Sequence, residues 1–310
     1  SKLATRVAAR YDVEAFTDTG ELLALDLDAV LVAVPDRLHL PLGLQALEAG
    51  KHVLMEKPLA PTAAEARRLA DAARAAGLRL QTGCMKRHDP ALAYARARVA
   101  DIGRILSMQT WYRVMAASRA GIQRSLFPPR VVDEAVRRAE EGFKPAAERY
   151  RLLTHGAHLF DGLRYLAGDV TWLSARHTSL AGDHTWHGTA GLANGGGLVS
   201  FEITTDVHGE WSEGTDIYGE AGHIRTRSPY PFSRLGSRVE VYVEDERITT
   251  VPSFDDTDPF VRQLESFARS ILEDHETDPS PDDGVEALRL IEAAADSAVD
   301  DGATVWLGRQ

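Results

Sequence analysis

The sequence predicts an α/β domain with a doubly wound parallel sheet over residues 1–103, followed by an α+β domain with a large open antiparallel sheet over residues 104–310. Through the first domain, short apolar runs alternate with helical patterns, as they do when a parallel sheet is covered by helices. From residue 105 onward, apolar and polar residues alternate, which is typical of strands with one exposed face. A chain of 310 residues is long enough for two such cores.

The overall composition excludes several classes of partner. Apolar residues make up 44% of the chain and charged residues 26%, as in ordinary globular proteins. The net charge is −11 and there is no basic block, so neither nucleic acid nor a membrane surface is expected as a partner. No apolar run approaches the roughly 18 residues of a membrane span. The single cysteine, Cys84, indicates a reducing compartment, and we predict a cytoplasmic protein.

A β-α-β unit is the central feature of the first domain. The apolar runs 28–34 and 52–56 predict buried strands, and a helix over 41–49 connects them and ends at Gly50. Such a crossover is almost always right-handed, and ligands of parallel sheets bind beyond the carboxyl ends of the strands. The residues predicted to lie at this edge are Pro35, His39, Glu56, Lys57 and Pro58.

The remaining elements of the first domain follow from periodicity and capping residues. Thr62 and Glu65 form a capping-box pattern, and Gly77 is placed to end the helix that they begin. Helices are predicted over 3–11, 20–25, 63–76 and 90–99, and strands over 13–16 and 78–82.

The second domain is predicted to begin with a long half-exposed strand over 105–114. Further strands are predicted over 171–178, 185–193, 198–205, 215–218, 223–227, 239–243, 248–251 and 304–307. Helices are predicted over 131–141, 150–167, 259–272 and 283–299, the last of them capped by Asp282 or Asp283.

Four motifs in this order resemble one family. They are V-A-V-P-D-R-L-H (32–39), E-A-G-K-H-V-L-M-E-K-P-L-A (48–60), T-G-C-M-K-R-H-D-P (82–90) and L-L-T-H-G-A-H-L-F-D (152–161). Together they resemble the Gfo/Idh/MocA oxidoreductases, named for glucose–fructose oxidoreductase and inositol dehydrogenase. The resemblance covers essentially the whole chain. It implies a Rossmann-like domain, here incomplete at its N-terminus, that binds NAD or NADP, and a second domain with an open sheet.

The resemblance also implies an activity and a set of site residues. Family members oxidise or reduce a hydroxyl of a sugar, cyclitol or related polyol, so we expect a dehydrogenase or reductase with a sugar-like or cyclic polyol substrate. By motif, Lys57 would hydrogen-bond the reacting oxygen and His158 would be the acid/base. Pro35 and His39 would lie near the nicotinamide, and Arg87 near the cofactor or substrate. An ammonium stabilises developing negative charge, and an imidazole can accept the hydroxyl proton.

Further residues are predicted to support these two. Thr154, His158 and Asp161 are spaced at i, i+4 and i+7, so the three share one helix face. Thr154 and Asp161 are therefore assigned to the catalytic set together with His158. Glu56 and Lys57 are expected to border the cofactor. His155 and the strand residue Trp111 are candidates for substrate contacts.

Each assignment has a plainer alternative. Lys57 could be a solvated loop lysine, and the polar stripe that contains His158 could face solvent. The pattern His155-x-x-His158-x-x-Asp161 could also be read as metal ligands, but such spacing drifts around a helix and no cysteine joins it; we predict no metal site.

Two departures from the family pattern leave the function open. The G-x-G-x-x-G phosphate loop is absent, so either the sequence lacks a β-α-β arm of roughly 30 residues or the protein does not bind a dinucleotide in the family's manner. Thr154 stands where the family has aspartate in D-x-x-x-H. The alternative hypothesis is therefore a diverged, non-catalytic sugar-binding or assembly subunit. In either case, a homo-oligomer through the open sheet face is expected.

Overall fold

The computed structural model describes residues 2–115, 138, 147–180, 182–193, 195–231, 235–255 and 258–308. The helix predicted over 131–141 lies outside these residues except for Arg138. The helices are α1 (Lys2–Tyr11), α2 (Thr19–Leu23), α3 (His39–Glu48), α4 (Ala63–Ala76), α5 (Pro90–Arg98), α6 (Ala147–Ala167), α7 (Pro259–Leu272) and α8 (Pro281–Val299). Three 3₁₀ helices cover Asp36–Leu38, Met85–His88 and Val99–Ile102.

The strands form two sheets. They are β1 (Ala29–Val32), β2 (His52–Glu56), β3 (Leu80–Gly83), β4 (Ile105–Met115), β5 (Val170–Leu180), β6 (Asp183–Leu192), β7 (Leu198–Val207), β8 (Ser212–Gly219), β9 (Gly222–Ser228), β10 (Arg238–Val243), β11 (Ile248–Thr250) and β12 (Val305–Trp306). The first three form one sheet, and the other nine form a second sheet.

The small sheet is parallel, as the sequence predicted. Its order is β1-β2-β3, with Val30 beside Val53 and Val53 beside Leu80. The central strand β2 is the most apolar, and its Leu54 and Met55 are almost completely buried. The carboxyl ends of β1 and β2 therefore lie side by side. The strand predicted over 13–16 is wrong, because this segment is irregular and pairs with none of the described strands.

Helix caps confirm one prediction and correct another. The Thr62 hydroxyl accepts a hydrogen bond from the Glu65 amide at 3.2 Å, and α4 ends at Gly77 with a left-handed backbone. The cap of α8 is Ser280 rather than Asp282 or Asp283. Ser280 accepts from the Asp283 amide while the Asp283 carboxylate accepts from the Ser280 amide, so both free backbone donors are satisfied.

The large sheet has the order β11-β10-β9-β8-β4-β7-β6-β5-β12 and is antiparallel except between β4 and β7, which run parallel. The predicted large antiparallel sheet is thus confirmed, with one parallel pair of strands that was not predicted. The inner face, against which α6 and α8 pack, buries alternate side chains of β4 such as Met108 and Tyr112. The outer face carries the intervening residues and is not covered by a described helix.

Helix α8 joins the two sheets. It packs on α6 and β5 of the second domain and also on α4 and β3 of the first. The Glu292 carboxylate accepts from the Ala63 amide at 2.9 Å, and the Ser280 carbonyl accepts from the Thr82 hydroxyl at 3.3 Å. The boundary at residues 103/104 remains a prediction. In the part of the chain that the structure describes, every helix is too short or too polar to cross a membrane.

A glycine at the junction of the two domains provides a test of this packing. A Cβ on Gly219 of β8 would lie 2.1 Å from the Ile102 carbonyl oxygen, a backbone atom that accepts from the Ala221 amide. We expect Gly219→Ala to lower the free energy of unfolding by about 1–3 kcal/mol, because the strand must shift. Urea unfolding measures this, with Gly236→Ala as the control, since a Cβ there meets nothing within 4 Å. Equal stability of the two variants would contradict the packing.

Candidate active site

The structure brings the predicted lysine and histidine to one place. Lys57 follows β2 directly, and the Lys57–Pro58 peptide is cis. Its Nζ donates to the Thr154 carbonyl at 3.4 Å, on the turn of α6 that precedes His158. Because Thr154 and His158 are four residues apart on a helix, they share a face. The ammonium and the imidazole therefore lie in the same cleft, between the parallel sheet and α6.

Lys57 is half-buried at the carboxyl end of β2. Burial lowers the pKa of Lys57, while the neighbouring Glu56 and Asp36 carboxylates oppose this shift. Burial likewise raises the pKa of Glu56, whose carboxylate accepts from the Lys57 amide at 3.2 Å. An ammonium with few competing waters interacts more strongly with an oxygen that gains negative charge.

The surroundings of His158 favour its neutral form. Burial, followed by the charges of Lys57 and Lys86, lowers the pKa of His158 well below its ordinary value. Its ring stacks on Tyr112 of β4, with centroids 5.5 Å apart and planes inclined by 15°. A neutral imidazole in a cleft has a free lone pair and can accept a proton.

His39 is buried between the loops after β1 and β2, and its predicted place near the nicotinamide remains a prediction. The residue is 1% exposed, and both ring nitrogens are within hydrogen-bonding distance of backbone carbonyl oxygens. Nδ1 is 2.8 Å from the Pro58 oxygen and Nε2 is 2.9 Å from the Val34 oxygen. The imidazole thus ties the loop after β1 to the loop after β2.

Arg87 and Asp161 form a buried ion pair rather than presenting their polar groups to a ligand. Arg87 Nε and Nη2 donate to the Asp161 carboxylate at 2.7–3.1 Å, and Nη1 contacts Asp278 at 3.0 Å and Asp283 at 3.2 Å. The side chains of Arg87 and Asp161 are only 6% and 3% exposed. The predicted cofactor contact of Arg87 and the catalytic assignment of Asp161 remain predictions, while in the structure the hydrogen-bonding groups of these two residues face each other. The pair fixes α6 against the turn after β3.

Trp111 lies on the wrong face of the sheet to bind a substrate in this cleft. Its Nε1 donates to the Ser212 hydroxyl at 2.9 Å, and the Arg227 guanidinium lies 4.6 Å from its ring, all on the outer face. The neighbouring Tyr112 faces the cleft instead, because successive strand side chains alternate between faces. His155, also predicted to bind substrate, is 6% exposed and packs against Tyr112 at 5.7 Å, in the wall of the cleft.

Sequence reasoning assigned no site role to three residues around His158: Tyr112, on which its ring stacks, and the ion pair of Lys86 and Glu213. Lys86 was signalled only by its position inside the T-G-C-M-K-R-H-D-P motif, next to Arg87. Glu213 had no local signal, because strand pairing between β4 and β8 brings it opposite Tyr112. Thr154, by contrast, is where predicted, but the contact that the structure shows is made by its carbonyl rather than its hydroxyl.

The described residues suit the reactive end of a nicotinamide cofactor. The edge of the parallel sheet presents Pro35, Glu56 and Lys57 next to a neutral imidazole. This donor and acceptor set matches a hydroxyl that loses a proton as its carbon loses hydride. Within the described ranges, no group of three or more His, Cys, Asp or Glu side chains is arranged to hold a metal ion.

The buried Arg87–Asp161 pair gives a prediction for stability. Arg87→Met leaves the Asp161 carboxylate buried and without its partner, so we expect a loss of about 3–5 kcal/mol in the free energy of unfolding. The control is Arg227→Met, which breaks a half-exposed pair with Asp216 and should cost about 1 kcal/mol or less. Urea unfolding of both variants measures the difference. If the two variants were equally stable, α6 would not depend on this ion pair.

Two family models match this chain. Residues 1–84 match the oxidoreductase family's NAD-binding Rossmann fold, and residues 151–307 match its C-terminal alpha/beta domain. Inositol 2-dehydrogenase 4 of Saccharopolyspora erythraea is 35% identical over 158 residues, 50% of this chain and 39% of that protein. The dTDP-3,4-didehydro-2,6-dideoxy-alpha-D-glucose 3-reductase of Streptomyces violaceoruber is 32% identical over 221 residues, 69% of this chain and 59% of that protein. The chain thus spans less than two thirds of the length of these relatives.

Solved structures show the same fold. A levoglucosan dehydrogenase in complex with NADH and L-sorbose superposes with a TM-score of 0.81 at 22% identity, covering 100% of this chain and 88% of that one. The family match agrees with the predicted oxidoreductase and with the predicted nicotinamide cofactor, and it confirms the resemblance inferred from the motifs. The chain belongs to the Gfo/Idh/MocA oxidoreductase family.

Proposed function

We propose that this protein is an NAD(P)-dependent oxidoreductase that transfers a hydride to or from a hydroxyl-bearing carbon of a sugar-like or cyclic polyol. The observation that carries the proposal is the meeting of the Lys57 ammonium and the neutral His158 imidazole at the carboxyl edge of a parallel sheet. The substrate class is supported by the names of relatives, which include inositol 2-dehydrogenases and a levoglucosan dehydrogenase.

In the direction of oxidation, His158 accepts the proton of the reacting hydroxyl. Lys57 donates a hydrogen bond to the same oxygen and stabilises its negative charge while the carbon–hydrogen bond breaks. The bound nicotinamide supplies the hydride acceptor. In the direction of reduction, the imidazolium returns the proton to the oxygen, while Lys57 again stabilises the charge that develops there.

Glu56 and Pro35 are proposed to border the nicotinamide, because both stand where their strands end and His39 fixes the two loops relative to each other. The phosphate-binding motif G-x-G-x-x-G is not among these 310 residues, so the proposal concerns the nicotinamide end of the cofactor. The choice between NAD and NADP remains open. The homo-oligomer through the outer face of the large sheet also remains a prediction.

Thr154 changes the character of the proposed base. A carboxylate at this position would raise the pKa of His158 by its negative charge, whereas a threonine does not. The structure instead uses the Thr154 carbonyl to hold the Lys57 ammonium. The result is a weaker base that stays neutral over a wider range of pH.

Replacement of the two central groups tests the proposal. Lys57→Met and His158→Gln should each lower kcat by about 10²–10⁴-fold, since each removes a group that acts on the reacting oxygen. The Kd of NADH or NADPH, measured by fluorescence, should change little. His187→Gln is the control, because His187 lies on the outer face of the large sheet and its side chain is 65% exposed.

The outcome also decides between this function and its alternative. Turnover of myo-inositol or levoglucosan that is unchanged in both variants would contradict the roles of Lys57 and His158. Wild-type protein that binds neither NADH nor NADPH at millimolar concentration would favour the non-catalytic, sugar-binding subunit.

The pH dependence gives a further prediction. Oxidation needs neutral His158, so kcat/KM should be constant above the pKa of His158 and fall as the pH drops through it. Because burial and two lysine charges lower that pKa, the acid limb should lie below about 6.5, the ordinary value for histidine. A pH profile of kcat/KM measures the limb. An acid limb above pH 7 would contradict the described surroundings of His158.

A further inference from the structure

A second lysine is buried beside the proposed base. Lys86 lies in the 3₁₀ helix Met85–His88 after β3, and only 8% of the residue is exposed. Its ammonium pairs with the carboxylate of Glu213, on β8 of the large sheet. One partner comes from each of the two predicted domains, so the ion pair spans the cleft.

Lys86 and His158 contact the same aromatic ring. The Lys86 ammonium lies 4.5 Å from the centroid of Tyr112, and the His158 ring stacks on Tyr112 at 5.5 Å. The strand register places Glu213 directly opposite Tyr112, on the same face of the sheet. The Lys86 ammonium and the His158 imidazole are therefore held against the same Tyr112 ring. The Trp211 ring lies 5.8 Å from the ammonium.

The energetics argue against a purely structural role for this ion pair. Burial lowers the pKa of Lys86 and raises the pKa of Glu213, and their attraction opposes both shifts. Well-packed apolar residues in place of such a buried pair are often as stable or more stable. A cation that is unfavourable to bury, and that lies next to the proposed base, is better explained by its electrostatic effect on that base.

We propose that Lys86, fixed by Glu213, is a positioning residue whose positive charge keeps His158 in its neutral, proton-accepting form. This inference rests on the function proposed above. The groups that face His158 are Lys57 from the loop after β2, Lys86 from the turn after β3, Tyr112 from β4, and His155 on α6 itself. Lys57 contacts the reacting oxygen in the proposed mechanism, whereas Lys86 acts only through its field and through Tyr112.

Histidine-selective NMR measures the charge state of His158 directly, without cofactor or substrate. The His158 resonance is identified by its absence in His158→Gln, and its chemical shift is followed against pH. In Lys86→Met the pKa of His158 should rise by about half a unit to one unit, because a like charge has been removed. In Lys86→Arg, which keeps the charge, it should stay within about 0.3 units of the wild-type value.

A matched control comes from the opposite face of the same sheet. Arg113 pairs with Glu202 there at 2.5 Å, and Arg113→Met removes a cation without touching the cleft. The pKa of His158 should not change in this variant. A pKa of His158 that is unchanged or lower in Lys86→Met would overturn the proposal.

The double variant Lys86→Met/Glu213→Gln removes the risk that an unpaired Glu213 causes misfolding or itself raises the pKa of His158. With both charges gone, the pKa of His158 should still rise above the wild-type value, since the Lys86 ammonium faces the ring on which His158 stacks and its charge lowers that pKa. No rise in this variant would also overturn the proposal.

The kinetic readout separates this inference from the proposed function. If both hold, Lys86→Met moves the acid limb of kcat/KM upward by the same amount as the NMR pKa, and leaves kcat above pH 8 within about threefold. A shifted NMR pKa in a protein without turnover would support the role of Lys86 while contradicting the oxidoreductase. Normal turnover of the wild-type protein, with an unshifted pKa of His158 in Lys86→Met, would support the oxidoreductase and contradict the role of Lys86.

Discussion

The site depends on how α6 is held against the carboxyl edge of the parallel sheet. Two contacts do this from the same side of the cleft: the buried Arg87–Asp161 ion pair and the Lys57 hydrogen bond to the Thr154 carbonyl. Asp161 and Thr154 lie on either side of His158 along the helix. The base is thus fixed both one turn before and one turn after its position. A helix with such support cannot rotate or slide without breaking a buried charge contact.

The groups proposed to act on the substrate come from both halves of the molecule. The parallel sheet contributes the half-buried Lys57 and the buried Lys86, whereas α6 contributes an imidazole whose pKa is lowered by burial and by these two cations. An ammonium suits the stabilisation of an oxyanion, and a neutral imidazole suits the acceptance of its proton. Thr154 in place of a carboxylate fits this arrangement, because no negative charge on α6 then competes for the Lys57 ammonium.

Local sequence patterns were sufficient to predict most helices and strands, but not which strands pair with each other. The buried runs of β1 and β2 and the capping box at Thr62 were predictable, since each depends on neighbouring residues. The strand expected over 13–16 did not form, because an extended segment needs a partner strand that its own sequence does not specify. The parallel pairing of β4 with β7 joins segments almost a hundred residues apart and left no local signal.

The candidate site shows the same limit. Lys57 and His158 could be identified by motif. That the two side chains lie close together follows from the fold that the motif implies. Trp111 was predicted to contact substrate, although alternation along β4 fixes two faces but not which face the cleft occupies. His39 and Arg87 were predicted near the cofactor, and only the structure shows that their nitrogens contact other protein groups. Polar residues that position a site look like ligand-binding residues in a sequence.

The central claim is that Lys57 and His158 act on one oxygen atom. A double-mutant cycle tests it most directly, with kcat/KM for the polyol that the wild-type protein oxidises fastest measured for Lys57→Met, His158→Gln and the double variant. Groups that act as a unit are strongly non-additive, so the double variant should be within about tenfold of the slower single variant. A loss equal to the product of the two single losses would show that the two groups act independently, and would contradict the account.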